Sequence, residues 1–275
     1  MQWWTRQQLS SRNPERRRAA LEKLVLRSSP STEASALAAL DDSDPLVRVG
    51  AVEALIQLAP ERAMPCLVRA ICHPDPIIRE RAARALACFK EPSVIEVLGR
   101  ALRDSHGAVR TAAARSLDTL AWRPESDQDQ AAWAVARQDY TAATQCGASA
   151  LEPLLVVLAD PTFSSRRAVV IALAQIGDTR ATKALIAATR DPDPTVRVVA
   201  LEAIGDLKEA AGTEAARAAL RDSNTNVRFA AAETLGRMGD AGSVDLLLED
   251  GQGRQLGSEK SVGRGAGSIE GRASS

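Results

Sequence analysis

The residues of this 275-residue chain with the most chemical potential are four cysteines, two histidines and a regular series of arginines and aspartates. Cysteine and histidine bind a metal when three or four of them converge with carboxylates. Cys66, Cys72, Cys88 and Cys146 contain no Cys-x-x-Cys pair and lie in alanine-rich, helix-like surroundings. They read as free, buried thiols of a reducing compartment, with no metal or disulfide framework. His73 and His106 sit in short polar breaks between helical stretches, where capping or solvent exposure is the expected role. No Gly-rich phosphate loop and no Gly-x-Ser-x-Gly is present, so the expectation is no catalytic residue, no metal and no cofactor.

The arginines show what must position everything else. Asp44-Pro45-Leu46-Val47-Arg48, Asp75-Pro76-Ile77-Ile78-Arg79 and Asp193-Pro194-Thr195-Val196-Arg197 are three copies of one segment. Their arginines belong to a series, Arg17, Arg48, Arg79, Arg110, Arg166, Arg197 and Arg228, spaced by 31 residues except for a step of 56 from Arg110 to Arg166. Three residues after each arginine stand Ala20, Ala51, Ala82, Ala113, Val169, Ala200 and Ala231. Seven after it stand Leu24, Leu55, Leu86, Leu117, Leu173, Ile204 and Leu235, aliphatic every time. A recurrence of this kind is an internal structural repeat.

Each unit reads as a helical hairpin. Asn13, Asp44, Asp75, Asp193 and Asn224 are N-cap residues, and Pro14, Pro45, Pro76 and Pro194 follow at the first helical position, where the missing N–H costs nothing. A second helix follows, as in 62–71, 93–102 and 180–189. Neither helix can bury its apolar stripe alone, so neighbouring hairpins must stack. The 25 extra residues between Arg110 and Arg166 are an insertion at about 121–147, with a capping Asp127, one helix or two short ones over 128–146, and a break at Gly147. Residues 1–10 read as a capping half-repeat in which Trp3 and Trp4 seal the first hairpin. From Gly251 the chain is Gly/Ser-rich and reads as a mobile tail, and Ile269-Glu270-Gly271-Arg272 resembles a factor Xa cleavage linker.

The pattern Asp-x-Asp-Pro-x-Val-Arg-x-x-Ala-x-x-Ala-Leu, over residues 9–250, resembles the short HEAT-like repeat of phycobilisome lyases and bacterial scaffold proteins. The resemblance implies an all-α fold: a right-handed α-solenoid of seven HEAT-like hairpins with one helical insertion. It also implies that the arginine column is a structural ladder. Asp42, Asp104, Asp160, Asp191 and Asp222 each stand six residues before an arginine, in the turn the ladder would bridge. The repeated His-Glu pairs of deoxyhypusine hydroxylase, a HEAT-like metalloenzyme, are missing from this sequence, which contains no His-Glu.

Such solenoids host many unrelated tasks. The reading taken here is a non-enzymatic interaction scaffold that holds a partner protein on its concave second-helix surface and its insertion. Trp122, Trp133 and Tyr140 crowd into the insertion, although the chain has only eight aromatic residues. They serve either as its private core or as anchors for a partner. On the second helices Arg69, Arg100, Arg103, Lys183, Arg190, Arg217 and Arg221 give a positive bias suited to an acidic segment. Arg103, Arg190 and Arg221 share one column before the turn, where a cation also complements the helix dipole. The alternatives are a bilin lyase or isomerase-type subunit acting on phycobiliproteins, and a nucleic-acid-binding HEAT-like protein.

Charge and composition fit this picture. Lys+Arg and Asp+Glu are 35 each, which argues against a general polyanion binder. No long apolar run suggests a membrane span, and no secretory signal is seen, so the expected location is cytoplasmic and the expected state a monomer or heteromer. With 51 alanines and 3% aromatics, the chain suits thin helical layers in which small residues let backbones approach.

Overall fold

The computed structural model describes residues 7–26, 31–160 and 165–240. Trp3, Trp4 and the Gly/Ser-rich tail lie outside them. Among the described residues the chain is helical and contains no strand. It forms two compact units, residues 1–172 and 173–275.

In the first unit the hairpins are α1 (Pro14–Leu26) with α2 (Thr32–Ala39), α3 (Pro45–Ile56) with α4 (Pro60–Ala70), and α5 (Pro76–Ala85) with α6 (Pro92–Ala101). Then come α7 (Gly107–Thr119), the inserted α8 (Asp127–Ala136) and α9 (Tyr140–Gln145), and α10 (Leu151–Leu158). Helix α11 (Arg166–Ile176) spans the boundary between the units. The second unit continues with α12 (Thr182–Ala188), α13 (Pro194–Leu207), α14 (Thr213–Ala219) and α15 (Thr225–Met238). Second helices begin earlier than the apolar pattern alone indicates, because Pro60 and Pro92 occupy the first helical position. In the second unit the same place holds short 3₁₀ turns, Thr179–Ala181 and Ala210–Gly212.

The repeat columns are the core. Ala20, Ala51, Ala82, Ala113, Val169, Ala200 and Ala231 are all fully buried. An alanine there lets one first helix lie close against the next. Successive first helices are also tied by hydroxyls: Ser116 donates to the Ala83 carbonyl at 2.8 Å, and Thr234 to the Leu201 carbonyl at 2.9 Å. Leu9, half-buried, packs against the core of the first unit. The five expected caps all accept from the first turn of their helices, Asn13 from Glu15 N–H and Asp44, Asp75, Asp193 and Asn224 likewise.

The arginine column is a ladder in each unit. Arg17, Arg48, Arg79, Arg110, Arg197 and Arg228 each donate from Nη1 to the carbonyls six and five residues earlier, closing their own turn. The outer edge of the guanidinium then reaches the next turn. Arg17 holds Asp42, Arg79 holds Asp104 and Arg197 holds Asp222, each fork-on-fork at 2.7–2.9 Å. One rung departs from this pattern. His73 stands where the other turns carry aspartate, and its Nδ1 accepts from Asp75 N–H at 3.0 Å. Arg48 consequently takes the cap carboxylate of Asp75.

The arginines hold these carboxyls below the ordinary range. For Asp42 the bonds from Arg17 are the leading cause, and for Asp222 those from Arg197. A carboxyl with a depressed folded-state pKa stabilises the fold above its unfolded value, about pH 4, and loses that contribution as pH falls through the folded one. Denaturation midpoints should therefore hold from pH 8 to 6 and drop below about pH 4. The Asp42→Asn, Asp222→Asn double variant should start lower at pH 7 and show a flatter acid limb in the same urea titration.

The thiols depart from expectation. Cys66 is buried, but Cys72 and Cys88 are exposed and Cys146 is half-buried, all of them free. Cys72 lies just past Ile71, the C-cap of its helix, and Cys88 lies on the exposed side of the 3₁₀ turn Leu86–Cys88. Burial pushes the Cys66 thiol up, away from the reactive thiolate.

Candidate protein-binding surface

The insertion is built onto the end of α7. Ala121, at φ 55°, turns the chain out of the helix, and Gln138, at φ 62°, turns it again between α8 and α9. The cap of α8 is Ser126, with Asp127 already inside the helix. The Ser126 hydroxyl accepts from Asp129 N–H and donates to the Asp129 carboxylate at 2.8 Å, so cap and third residue are locked together. Gly147, at φ 54°, ends the helical stretch, and a 3₁₀ turn over Gly147–Ala150 leads into α10. The insertion thus forms two short helices.

Trp122 and Trp133 pack edge to face at 6.2 Å, half-buried on the core of the first unit. The Trp133 indole N–H donates to Asp118 at 3.0 Å, and the Arg137 guanidinium lies 4.6 Å from its ring centre. Asp118 and Arg137 were not singled out from the sequence. Asp118 does carry a signal, since its column is otherwise Val25, Ile56, Ala87, Ala174, Gly205 and Gly236. An aspartate among small and apolar residues marks a place where another segment arrives.

Tyr140 opens α9 with its hydroxyl buried and without a hydrogen bond among the described residues. Desolvation pushes its pKa up to about 12 against the pull of Arg110. A buried hydroxyl with no partner carries a desolvation cost and returns nothing. Tyr140→Phe should therefore keep or raise the melting temperature, and a clear fall would show that the hydroxyl is bonded.

Beneath the insertion the ladder runs on. Arg110 donates to Asp160 at 3.0 Å, fifty residues ahead, where the other rungs span twenty-five to twenty-seven. Arg110 and Asp160 are 3% and 1% exposed, the most deeply buried ion pair of the described ladder. Gly107 N–H donates to the same carboxylate at 2.7 Å. That explains why the proline found here in four other units is replaced, since proline has no N–H to give. It also explains how α7 is capped although its N-cap, His106, makes no side-chain bond to it.

The second-helix cations divide into engaged and exposed groups. Arg217 grips Asp240 with two bonds and Glu214 with a third. Arg103 is bonded to the first turn of α8. Arg100 faces Glu96 at 3.8 Å one turn earlier. Arg69, Lys183, Arg190 and Arg221 are exposed and have no ion pair among the described residues. Among the described residues no cluster of three or more His, Cys, Asp or Glu could hold a metal, and no helix is long and apolar enough to cross a membrane.

Stacked helical hairpins with an arginine ladder define a helical-repeat protein. The family model for HEAT repeats matches residues 4–72, 33–118, 67–137 and 182–250, and that for the PBS lyase HEAT-like repeat matches residues 165–191. The chain belongs to the HEAT-repeat family. Among solved structures it is similar to human deoxyhypusine hydroxylase in complex with glycerol, at 22% identity over 86% of this chain and 94% of that one, with a TM-score of 0.37. It is also similar to the complex of CpcE and CpcF of phycocyanin lyase from Nostoc sp. PCC7120, at 20% identity over 86% and 92%, with a TM-score of 0.35. A designed armadillo repeat protein is similar at 19% identity over 86% and 98%, with a TM-score of 0.31. A search of curated proteins finds no match.

Proposed function

We propose that this chain is a non-enzymatic interaction scaffold that binds a partner protein through its second-helix cations and its insertion. One contrast supports the reading. The ladder arginines are half-buried or buried and spend their donors on turn carbonyls and neighbouring side chains. Arg69, Lys183, Arg190 and Arg221 instead reach into solvent without a counter-ion among the described residues. Cations arranged this way fit an acidic surface on a partner, where complementarity of charge sets specificity and encounter rate. The Trp122, Trp133 and Arg137 group offers the aromatic and arginine residue types that dominate binding energy at interfaces.

The test is affinity capture from the source proteome, with bound proteins identified by mass spectrometry. Wild type should retain a specific protein at low salt. Arg69→Glu with Arg100→Glu, or Trp122→Ala with Trp133→Ala, should lose it while the helical melt stays cooperative. A wild-type chain that retains nothing specific would end the proposal.

A further inference from the structure

The insertion shows how this scaffold holds a helix. Arg103, seven residues before the ladder arginine Arg110, donates from Nη1 to the Gly99 carbonyl of its own helix at 3.4 Å. From Nη2 it donates to the Gln128 carbonyl and to the Asp129 carboxylate, both at 3.1 Å. It therefore joins the C-terminal end of α6, which is electronegative, to the acidic first turn of α8, which carries Asp127 and Asp129.

Arg190 and Arg221 hold the same register before Arg197 and Arg228, in the second unit. Their backbone is placed as that of Arg103: each N–H closes on the carbonyl three residues earlier, at 3.1 Å for Arg103 and Arg190 and 3.2 Å for Arg221. The turn aspartates that follow close in the same way. Among the described residues no inserted helix meets them, and both side chains are exposed without an ion pair. One turn before them the exposed residues are Ala187 and Ala218, small enough for a helix to approach. Glu214 is bonded to Arg217, and neither Arg190 nor Arg221 has an ion pair among the described residues.

We infer that Arg190 and Arg221 form a docking site for the acidic N-terminal turn of a partner's helix, held by its carboxylates and a backbone carbonyl as Arg103 holds α8. The inference rests on the scaffold reading and names the partner chemistry on the second unit. The first turn of α8 carries two carboxylates, Asp127 and Asp129, of which Arg103 bonds Asp129.

The probe is a fluorescein-labelled peptide with the sequence of residues 124–138 of this chain, stapled on its far side because so short a helix is marginal in water. It is titrated with the full chain, in which Arg103 is already filled by its own α8. Saturable anisotropy is expected, weakening as salt rises. Arg190→Glu with Arg221→Glu should weaken binding at least tenfold at an unchanged melting temperature, and so should a peptide carrying Asp127→Asn and Asp129→Asn. No binding, or equal binding by either altered partner, would overturn the inference. If the peptide failed to bind while capture still returned a partner lost with Trp122→Ala and Trp133→Ala, the docking site would fall and the scaffold reading would stand.

Discussion

Asp160→Ala is expected to cost about 3–5 kcal/mol, the ordinary consequence of leaving one member of a buried ion pair uncompensated. Arg110, 3% exposed, would keep its bonds to the Asp104 and Ser105 carbonyls and lose its buried counter-ion on the other edge. Gly107 N–H would lose its acceptor in the same step, so the first turn of α7 would be left uncapped as well. The comparison is Asp42→Ala on the same ladder. Its partner Arg17 is 13% exposed, and water can replace part of what the carboxylate gave. The expected loss there is about 1.5–3 kcal/mol, that of a charged hydrogen bond. Urea denaturation of both variants at pH 7 decides the point. Equal losses would show that burial adds nothing to the rung under the insertion. Gly107→Ala should show a smaller effect from the same cause, because a Cβ there would lie 3.2 Å from the Asp160 carboxylate and 3.3 Å from Arg110 Nη2.

Gly212→Ala is expected to destabilise by about 2–3 kcal/mol, at the upper end of what overpacking one methyl produces. A Cβ at this position would overlap Ile204 Cγ2. Ile204 is fully buried and β-branched, so its side chain has no second rotamer into which to withdraw. The clash must be relieved by moving the 3₁₀ turn Ala210–Gly212 and with it α14. Ile204→Ala alone should cost about 2–5 kcal/mol through the cavity it leaves. Combined with Gly212→Ala it should cost clearly less than the sum, because the added methyl then enters the space vacated. Additive losses in the double-mutant cycle would show that the two residues do not meet. The glycine stands just before α14 and Arg221 lies in the turn just after it, so the second-unit docking site depends on this contact for its position.

Much of the architecture was legible because it is written in local chemistry repeated many times. A cap, a proline at the first helical position, an alanine three residues past the arginine and a leucine four further on set one helix each. Seven occurrences separate that pattern from chance. The ladder was legible for the same reason, since an arginine and a turn aspartate recur in register. The rung at Arg48 was not, because His73 replaces the expected aspartate and the pairing moves two residues along to Asp75. Nor was Ser126 as the cap of α8. Serine and aspartate both cap helices, and only the backbone path shows which of Ser126 and Asp127 precedes the first turn.

The candidate site was legible in residue types and not in their pairing. Trp122, Trp133 and Tyr140 stood out by composition, but the sequence could not show that one indole is bonded to Asp118 and covered by Arg137. Nor could it separate Arg103, Arg190 and Arg221, three equivalent residues in one column. The sequence by itself determined the repeat, the caps of the regular units and the buried columns, because those depend on neighbours within one 31-residue period, and the ladder followed from the resemblance to HEAT-like repeats. Tertiary structure alone decided that Arg110 closes on Asp160 across fifty residues, and that Arg103 is filled while its two counterparts have no ion pair among the described residues. Those outcomes depend on where an inserted segment lies in space, and periodicity carries no information about a segment outside the period.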